Sequence, residues 1–435
     1  MLNTTRRIVL LSLCSLLALS NRGLAQETDL KSAMEALERK FQHHAGLMLY
    51  DPEKRQVLFD YKSDKYFTPA SNTKIFTLYT SFQVLGDSIP GLYYVEKGDS
   101  LIIWGTGDPS LLYENVVQGK VLNFLQNTTK DIYLSFSNFH DQHYGPNWAW
   151  DDFYYYYQVE KTSFPLYGNY LILERDSGDV EPVVHNRVMG KYLRQKGGDS
   201  DHSPLIRDYG VPFTALYDEE DSIFRKEIPF KYTPSLAAEL LSDTLQRPVH
   251  LVEKVIPPDK NILYSVPTDS LYRVLMQTSD NFIAEQLLLV CAGIISDSLK
   301  SDIAIRQAKN TFLSDLPDEP IWEDGSGLSR YNLFTPRSIV TLWDRMYRDI
   351  PRERLFSLLA TGGLNGTISK WYKAKVPYIY GKTGTLRNNH TLSGYLITSR
   401  GKVLIFSFMN SNYPVESSDI KKEMERILIY VRDKY

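Results

Sequence analysis

The chain has 435 residues, with 49 Lys and Arg against 52 Asp and Glu, a net charge of −3. That length exceeds one ordinary domain of roughly 150 residues, and 43% hydrophobic with 23% charged residues describes a globular protein, not a disordered or fibrous one. The charge balance leaves no basic footprint for nucleic acid, and two cysteines cannot build a disulfide framework.

Residues 1–25 read as a signal peptide. Arg6 and Arg7 precede the apolar run Ile8–Leu19, which is too short to span a bilayer of ~30 Å as a helix. Gly23-Leu24-Ala25 offers small residues at a cleavage site before Gln26. Cys14 leaves with that segment. Cys291 remains, at the end of the apolar run Leu287–Cys291, where a lone cysteine reads as a small buried hydrophobe. No second apolar run reaches membrane length, so no integral membrane segment is expected after cleavage. The expected compartment is periplasmic or otherwise outside the cytoplasm.

A helical pattern follows at Leu30, Ala33, Leu37 and Phe41, then strand-like runs at Gly46–Tyr50 and Gln56–Asp60. An apolar helix is predicted from about Ser71 to Leu85. Residues 93–261 carry short alternating runs, among them Leu101–Trp104, Ile132–Phe136 and Tyr170–Glu174, bounded by Gly, Pro, Asn and Asp, and are read as β-rich. The run Tyr154–Tyr157 reads first as an aromatic wall of that β-rich region and second as a sugar platform. Helices return at Thr268–Met276, Asn281–Ile294, Ser301–Leu313, Arg337–Met346 and Ser418–Arg432. Strands are expected at Gly394–Thr398 and Val403–Asn410, around a turn at Ser399-Arg400-Gly401. The C-terminal amphipathic stretch (Ile420, Met424, Ile427, Val431) fits a helix packed on a sheet better than a membrane anchor.

Three short motifs carry chemistry. Ser71 and Lys74 are spaced i, i+3, which puts them on one face of a helix start. A serine hydroxyl needs an adjacent base, and a lysine amine serves only if burial or a nearby cation lowers its pKa. In Ser279-Asp280-Asn281, Ser279 can pass a proton and Asn281 offers both a donor and an acceptor. In Lys382-Thr383-Gly384-Thr385 a cation and two hydroxyls suit a terminal carboxylate, and Gly384 admits a close backbone. Lying just before the late strand pair, this motif is expected at a sheet edge, where an extended peptide can pair. Each motif alone is weak. Two decoys are set aside: Gly105-Thr106-Gly107-Asp108 lacks the third glycine of a nucleotide loop and runs into Pro109, and His140 with His143 lacks the ligand set of a metal site. No metal and no organic cofactor is expected.

The order Ser-x-x-Lys, Ser-Asp-Asn, Lys-Thr-Gly in an exported chain resembles the penicillin-binding proteins and serine β-lactamases. Ser71 and Ser279 lie 208 residues apart, far more than in class A β-lactamases, and Ser279 and Lys382 lie 103 apart. That spacing resembles the type-4 penicillin-binding proteins, the D-alanyl-D-alanine carboxypeptidase/endopeptidase family (peptidase family S13, class C low-mass). Gly107-Asp108-Pro109-Ser110-Leu111, Trp148-Ala149-Trp150-Asp151-Asp152, Asp324-Gly325-Ser326-Gly327-Leu328-Ser329-Arg330 and Gly363-Leu364-Asn365-Gly366-Thr367 resemble further segments of that family.

The resemblance implies an α+β multidomain fold: a β-lactamase/transpeptidase-like catalytic domain, an antiparallel sheet flanked by helices, from 26–92 and 262–435. A large β-rich insertion at 93–261, one domain or two nested, splits it. It implies that Ser71 attacks the penultimate carbonyl of peptidoglycan stem peptides ending in D-Ala-D-Ala, and that Lys74 takes its proton. Ser279 relays the proton and Asn281 orients the substrate amide. Lys382, Thr383, Gly384 and Thr385 bind the terminal carboxylate along the strand, and Asp152 meets a substrate amine. β-Lactam antibiotics would then acylate Ser71. Two rival readings share the motifs: a β-lactamase or esterase, and a non-catalytic peptidoglycan-binding or β-lactam-sensing protein. The intact Ser71–Lys74 pair disfavours the second.

Overall fold

The computed structural model describes residues 26–116, 119–176, 183–195, 215–217 and 224–435. The expected signal peptide lies outside them. The chain divides into two compact units. One holds the described residues up to Asn72 with Leu316–Pro320 and Leu333–Tyr435; the other holds Thr73–Asp315 and Ile321–Asn332.

The first unit is built on a six-stranded antiparallel sheet. Its order is Ala360–Thr361, Ile379–Leu386, Asn389–Ile397, Val403–Ser411, His44–Asp51, Gln56–Tyr61. Period-two alternation sorts the side chains. Leu392, Leu396, Leu404, Phe406 and Phe408 join one buried cluster with Leu30, Met34, Leu37 and Phe41 from the helix at 26–41, and with Ile420, Met424, Ile427 and Val431 from the helix Ser417–Lys434. Each fully buried Leu or Phe contributes about 1.5–3 kcal/mol of transfer free energy. The amphipathic C-terminus therefore packs on the sheet, as its pattern indicates. Ser393 and Tyr395, of opposite parity, meet Trp343 on the helix Pro336–Asp349: the Trp343 indole N–H donates to Ser393 Oγ at 2.9 Å, and the Tyr395 hydroxyl donates to the Trp343 carbonyl at 2.8 Å.

The second unit contains a five-stranded mixed sheet in the order Val249–Leu251, Asp131–Ser135, Ser100–Gly105, Ser88–Lys97, Asn261–Pro267. A smaller sheet joins Phe224–Pro229, Tyr170–Arg175 and Val183–Val184. Helices Thr73–Val84, Thr268–Gln277, Asn281–Ser296 and Ser301–Asn310 complete it. In Asn281–Ser296 every residue from Phe282 to Gly293 is buried; a helix apolar on all sides must lie inside a core. Cys291 is among these, its thiol pushed up to about 12 by burial.

Three expectations shift. The strand expected at Gly394–Thr398 begins at Asn389, because Asn388 at φ 67° turns the chain straight back from Leu386. Two helices sit in the region read as β-rich: Lys120–Asn127, which buries Val121 and Leu125, and Pro234–Leu245. The latter carried a signal, since Thr233 caps Leu236 N–H at 3.1 Å and Pro234 opens the first turn. The tyrosine run forms no strand. Tyr154 closes a 3₁₀ turn, and Tyr154, Tyr155 and Tyr156 are exposed. A run of four aromatics has no period-two pattern to bury.

Candidate active site

The boundary between the units falls after Asn72, inside the Ser71–Lys74 tetrapeptide, so each unit carries its own set of motif residues.

In the first unit, a 3₁₀ turn Ala70–Asn72 presents Ser71 and leads into the helix Thr73–Val84. Ala70 holds φ 47°, a left-handed conformation that is rare for a residue with a Cβ. Such strain persists only where the surroundings over-determine it, and they do. The buried Asn72 amide donates to the Lys382 carbonyl at 2.9 Å and accepts from Ser393 Oγ at 2.6 Å. Thr391 Oγ1 donates to the Pro69 carbonyl at 2.9 Å. The strand Ile379–Leu386 lies so close to this turn that a Cβ at Gly384 would stand 2.4 Å from the Pro69 oxygen and 2.8 Å from the Ser71 nitrogen. Glycine is required there by contact, not by φ.

Within its sheet, Ala360–Thr361 pairs only Gly381 and Tyr380. Among the described residues no strand covers 382–386 on that side, so the Lys-Thr-Gly motif stands at an edge, as expected. Lys382 is buried and its ammonium donates to the Thr383 carbonyl at 2.7 Å. The Thr383 hydroxyl bonds the Thr367 hydroxyl at 2.6 Å, and the Thr385 hydroxyl bonds His390 Nδ1 at 2.7 Å. Burial, reinforced by Lys421 and Lys382, pushes His390 down to about 3, so its ring is neutral at working pH.

In the second unit, Lys74 is fully buried. Its ammonium donates to Asn281 Oδ1 at 2.6 Å and to the Ser326 carbonyl at 2.7 Å. Burial pushes Lys74 down to about 8, against the opposing pull of Asp324, Glu285 and Asp280. A buried amine near neutrality is what a general base requires. Ser279 sits at φ 68°, another left-handed residue with a Cβ, immediately before the helix. Asp280 is that helix's N-cap, accepting from Ile283 N–H at 2.8 Å and from the Tyr113 hydroxyl. It is structural, and burial pushes its carboxyl up.

Behind Lys74 stands the loop 324–332, gathered around Asp324. Its carboxylate accepts from Gly327 N–H (2.8 Å), Ser329 N–H (2.7 Å), the Asn332 amide (2.8 Å) and the Trp148 indole (2.8 Å). Thr77 Oγ1 donates to the Gly325 carbonyl at 2.7 Å, and a Cβ at Gly325 would meet the Ala284 oxygen at 2.6 Å. Glu285 accepts from Ser326 N–H at 2.7 Å. Asn281 is fixed from its other end, where its amide donates to the Tyr157 carbonyl at 3.0 Å. The Tyr157 hydroxyl donates to Asp152 at 2.8 Å, which ties the partly exposed Asp152 to the same network.

His140 and His143 diverge onto Ser298 Oγ and the Lys161 carbonyl, both at 2.8 Å. Among the described residues no group of three His, Cys, Asp or Glu side chains could hold a metal ion. No helix among them is long and apolar enough to cross a membrane.

Motif reading located Ser71, Lys74, Ser279, Asn281 and Lys382–Thr385. It left Asn72, Glu285 and His390 without roles, and it quoted Trp148 and Asp324 only as parts of resembling segments. Asn72, among the polar neighbours Ser71, Thr73 and Lys74, gave no local signal of its role. One available signal was Glu285 between the apolar residues Phe282–Ala284 and Leu287–Cys291 of a predicted helix, since a carboxylate buried there must have a partner.

Comparison with known proteins shows the family and the fold. The model of the D-Ala-D-Ala carboxypeptidase 3 (S13) family matches residues 26–196 and 235–431. The D-alanyl-D-alanine carboxypeptidase DacB of Haemophilus influenzae is 23% identical over 436 residues, covering 90% of each chain. A penicillin-sensitive carboxypeptidase A of Dictyostelium discoideum is 22% identical, over 88% of this chain and 85% of its own. The crystal structure of H. influenzae penicillin-binding protein 4 superposes with a TM-score of 0.72 at 20% identity, covering 92% of this chain and 98% of that one. The α+β multidomain fold is thus shared with that protein, and with the family model spanning most of its length the chain belongs to the D-Ala-D-Ala carboxypeptidase 3 (S13) family.

Proposed function

We propose that the protein is a serine D-alanyl-D-alanine carboxypeptidase and endopeptidase of peptidoglycan stem peptides and their cross-links. The observation that carries this reading is Lys74: fully buried, held on Asn281 and the Ser326 carbonyl, pushed down to about 8, and three residues from Ser71. A structural lysine would keep its charge in water.

In the proposed reaction Lys74 Nζ takes the proton of Ser71 Oγ, and the oxygen attacks the penultimate D-Ala carbonyl. The backbone N–H groups of Ser71 and Thr385 receive the developing oxyanion; one such donor is typically worth about 10²–10³ in rate. The C–N bond breaks, and Ser279 with Lys74 returns the proton to the departing D-Ala nitrogen. Water then cleaves the Ser71 ester. Thr383 and Thr385, beside Lys382, hold the terminal carboxylate, and the open edge at 382–386 pairs the substrate backbone. Asp152 is proposed to meet the amine of the stem peptide's third residue. The division into a catalytic domain (26–92, 262–435) and an insertion (93–261) is retained as the proposed evolutionary plan. Export through residues 1–25 would place the enzyme beside the cell wall. β-Lactams are proposed as inhibitors that leave a slow ester on Ser71.

Intact mass with and without benzylpenicillin, on wild type and Ser71→Ala, tests this together with D-Ala release from a D-Ala-D-Ala-terminated peptide. A penicilloyl adduct and D-Ala release in wild type, both lost in the variant, support it. Rapid penicillin turnover without an adduct favours a β-lactamase. Neither adduct nor turnover in a folded sample leaves a binding protein.

A further inference from the structure

The reaction above uses Lys74 and Asn281 but not the carboxyl group behind them. Glu285 lies four residues beyond Asn281, one turn along the same helix face. It is buried. Its Oε1 accepts the Ser326 N–H at 2.7 Å, while the Ser326 carbonyl accepts the Lys74 ammonium, also at 2.7 Å. One residue thus joins acid to amine through its two backbone groups. The other oxygen, Oε2, is buried with no hydrogen-bond partner; the Gly325 N–H favours the charged form only from outside hydrogen-bonding geometry. A structural carboxylate of this depth would normally have both oxygens satisfied.

We propose that Glu285 is a positioning residue that sets the charge of Lys74: its carboxyl favours the ammonium form, and through Ser326 it fixes the carbonyl on which that ammonium rests. This rests on the reading of Lys74 as the base for Ser71. The charged groups facing the pair are few. Asp324 and Asp280 face Lys74 along with Glu285. Asp324 and Lys161 face Glu285, and Lys161 is paired with Asp141 at 2.9 Å. Burial, then the Asp324 carboxylate, holds Glu285 well above the ordinary carboxyl range, and Lys161 opposes them. Acid and amine therefore titrate close together, and the field of one moves the other.

The test is the pH profile of benzylpenicillin acylation. Glu285→Gln keeps an acceptor for Ser326 N–H and removes the negative field. Lys74 then loses its proton at lower pH, and the acid limb moves down by at least about half a pH unit, roughly threefold in relative rate on that limb. Glu285→Asp keeps the charge, so its limb stays at the wild-type pH even if its plateau falls. A Gln variant whose limb stays put while its plateau drops overturns the proposal and leaves Glu285 merely structural. A wild type that is not acylated at all removes both this inference and the functional reading; an acylated wild type with an unmoved Gln limb removes only this one. If the Gln variant does not fold, infrared titration of the wild type decides. A carboxylate band that shifts in Glu285→Asp and is already present at the pH of the acid limb supports the proposal; a Glu285 carboxyl still protonated through that limb overturns it, because a neutral acid exerts no such field on Lys74.

Discussion

The two halves of the proposed catalytic machinery are held by different physics. Around Ser71 the holding contacts are neutral: an asparagine amide on a backbone carbonyl, two hydroxyls, a neutral histidine, and a glycine where strand and turn nearly touch. Around Lys74 the acceptors, Asn281 Oδ1 and the Ser326 carbonyl, are neutral too, but the buried carboxyl groups of Asp324, Glu285 and Asp280 all lie within its field. The nucleophile's half is set by distance and should fail when crowded. The base's half is set by charge and should fail when pH or charge changes. A fixed hydroxyl needs only geometry, whereas an amine must lose a proton near neutrality, so its burial has to be balanced against nearby carboxylates.

The largest effects come from removing the reacting groups themselves. Ser71→Ala should abolish the penicilloyl adduct and lower D-Ala release by roughly 10⁴-fold or more. Lys74→Ala should leave Ser71 in place yet slow acylation by a similar order. In the wild type the acylation rate should rise with pH through about 8, because Lys74 acts only after losing its proton. A flat profile between pH 6 and 9 would break the distinction between the halves.

Next comes crowding. Gly384→Ala places a Cβ against the Pro69 oxygen and the Ser71 nitrogen, both backbone atoms that have little room to yield. A shift near 1 Å at a reacting centre costs about 100-fold, so acylation should fall by about that much. The position of the acid limb should not move, since no charge has changed. Stopped-flow acylation across pH separates the two effects, and a shifted limb would show that the halves are not independent.

The motif strings were legible because Ser71 and Lys74 lie three residues apart, and because each remaining motif is three or four consecutive residues. The strands and the long helices were legible where period two or an unbroken apolar run declared them. What holds the motifs was not legible. Asn72 finds Lys382 across 310 residues, and Trp148 finds Asp324 across 176; no local pattern encodes such partners. The tyrosine run misled because composition suggests burial and only the fold decides it.

Asn72→Ala should act between these extremes. It strips the Lys382 carbonyl of its donor and Ser393 Oγ of its acceptor, both buried. Unsatisfied buried groups of this kind cost about 1–3 kcal/mol. Thermal unfolding should therefore shift down, and acylation should fall at every pH by a common factor. An unchanged melting temperature would mean the turn carrying Ser71 is held by packing alone.

The smallest effect is expected at His390, and it tests whether the neutral half is neutral. His390 Nδ1 meets the Thr385 hydroxyl at 2.7 Å. Burial first, then Lys421 and Lys382, keep the ring uncharged down to about 3. His390→Ala removes one hydrogen bond of about 0.5–1.5 kcal/mol, so KM for a D-Ala-D-Ala peptide should rise by roughly 3- to 10-fold with kcat little changed. That ratio should be constant from pH 5 to 9, because the His390 ring stays uncharged throughout that range. Stability carries the opposite signature. The folded ring resists a proton that the unfolded chain accepts near 6.5, so His390's contribution is fully present above that pH and is lost as pH falls from 6.5 toward 3. His390→Ala should accordingly flatten part of the acid limb of denaturant-measured stability while leaving the KM ratio without a pH term. A KM ratio that titrates near 6.5 would show a charged imidazole beside Thr385, and the contrast between a neutral nucleophile half and an ionic base half would not hold.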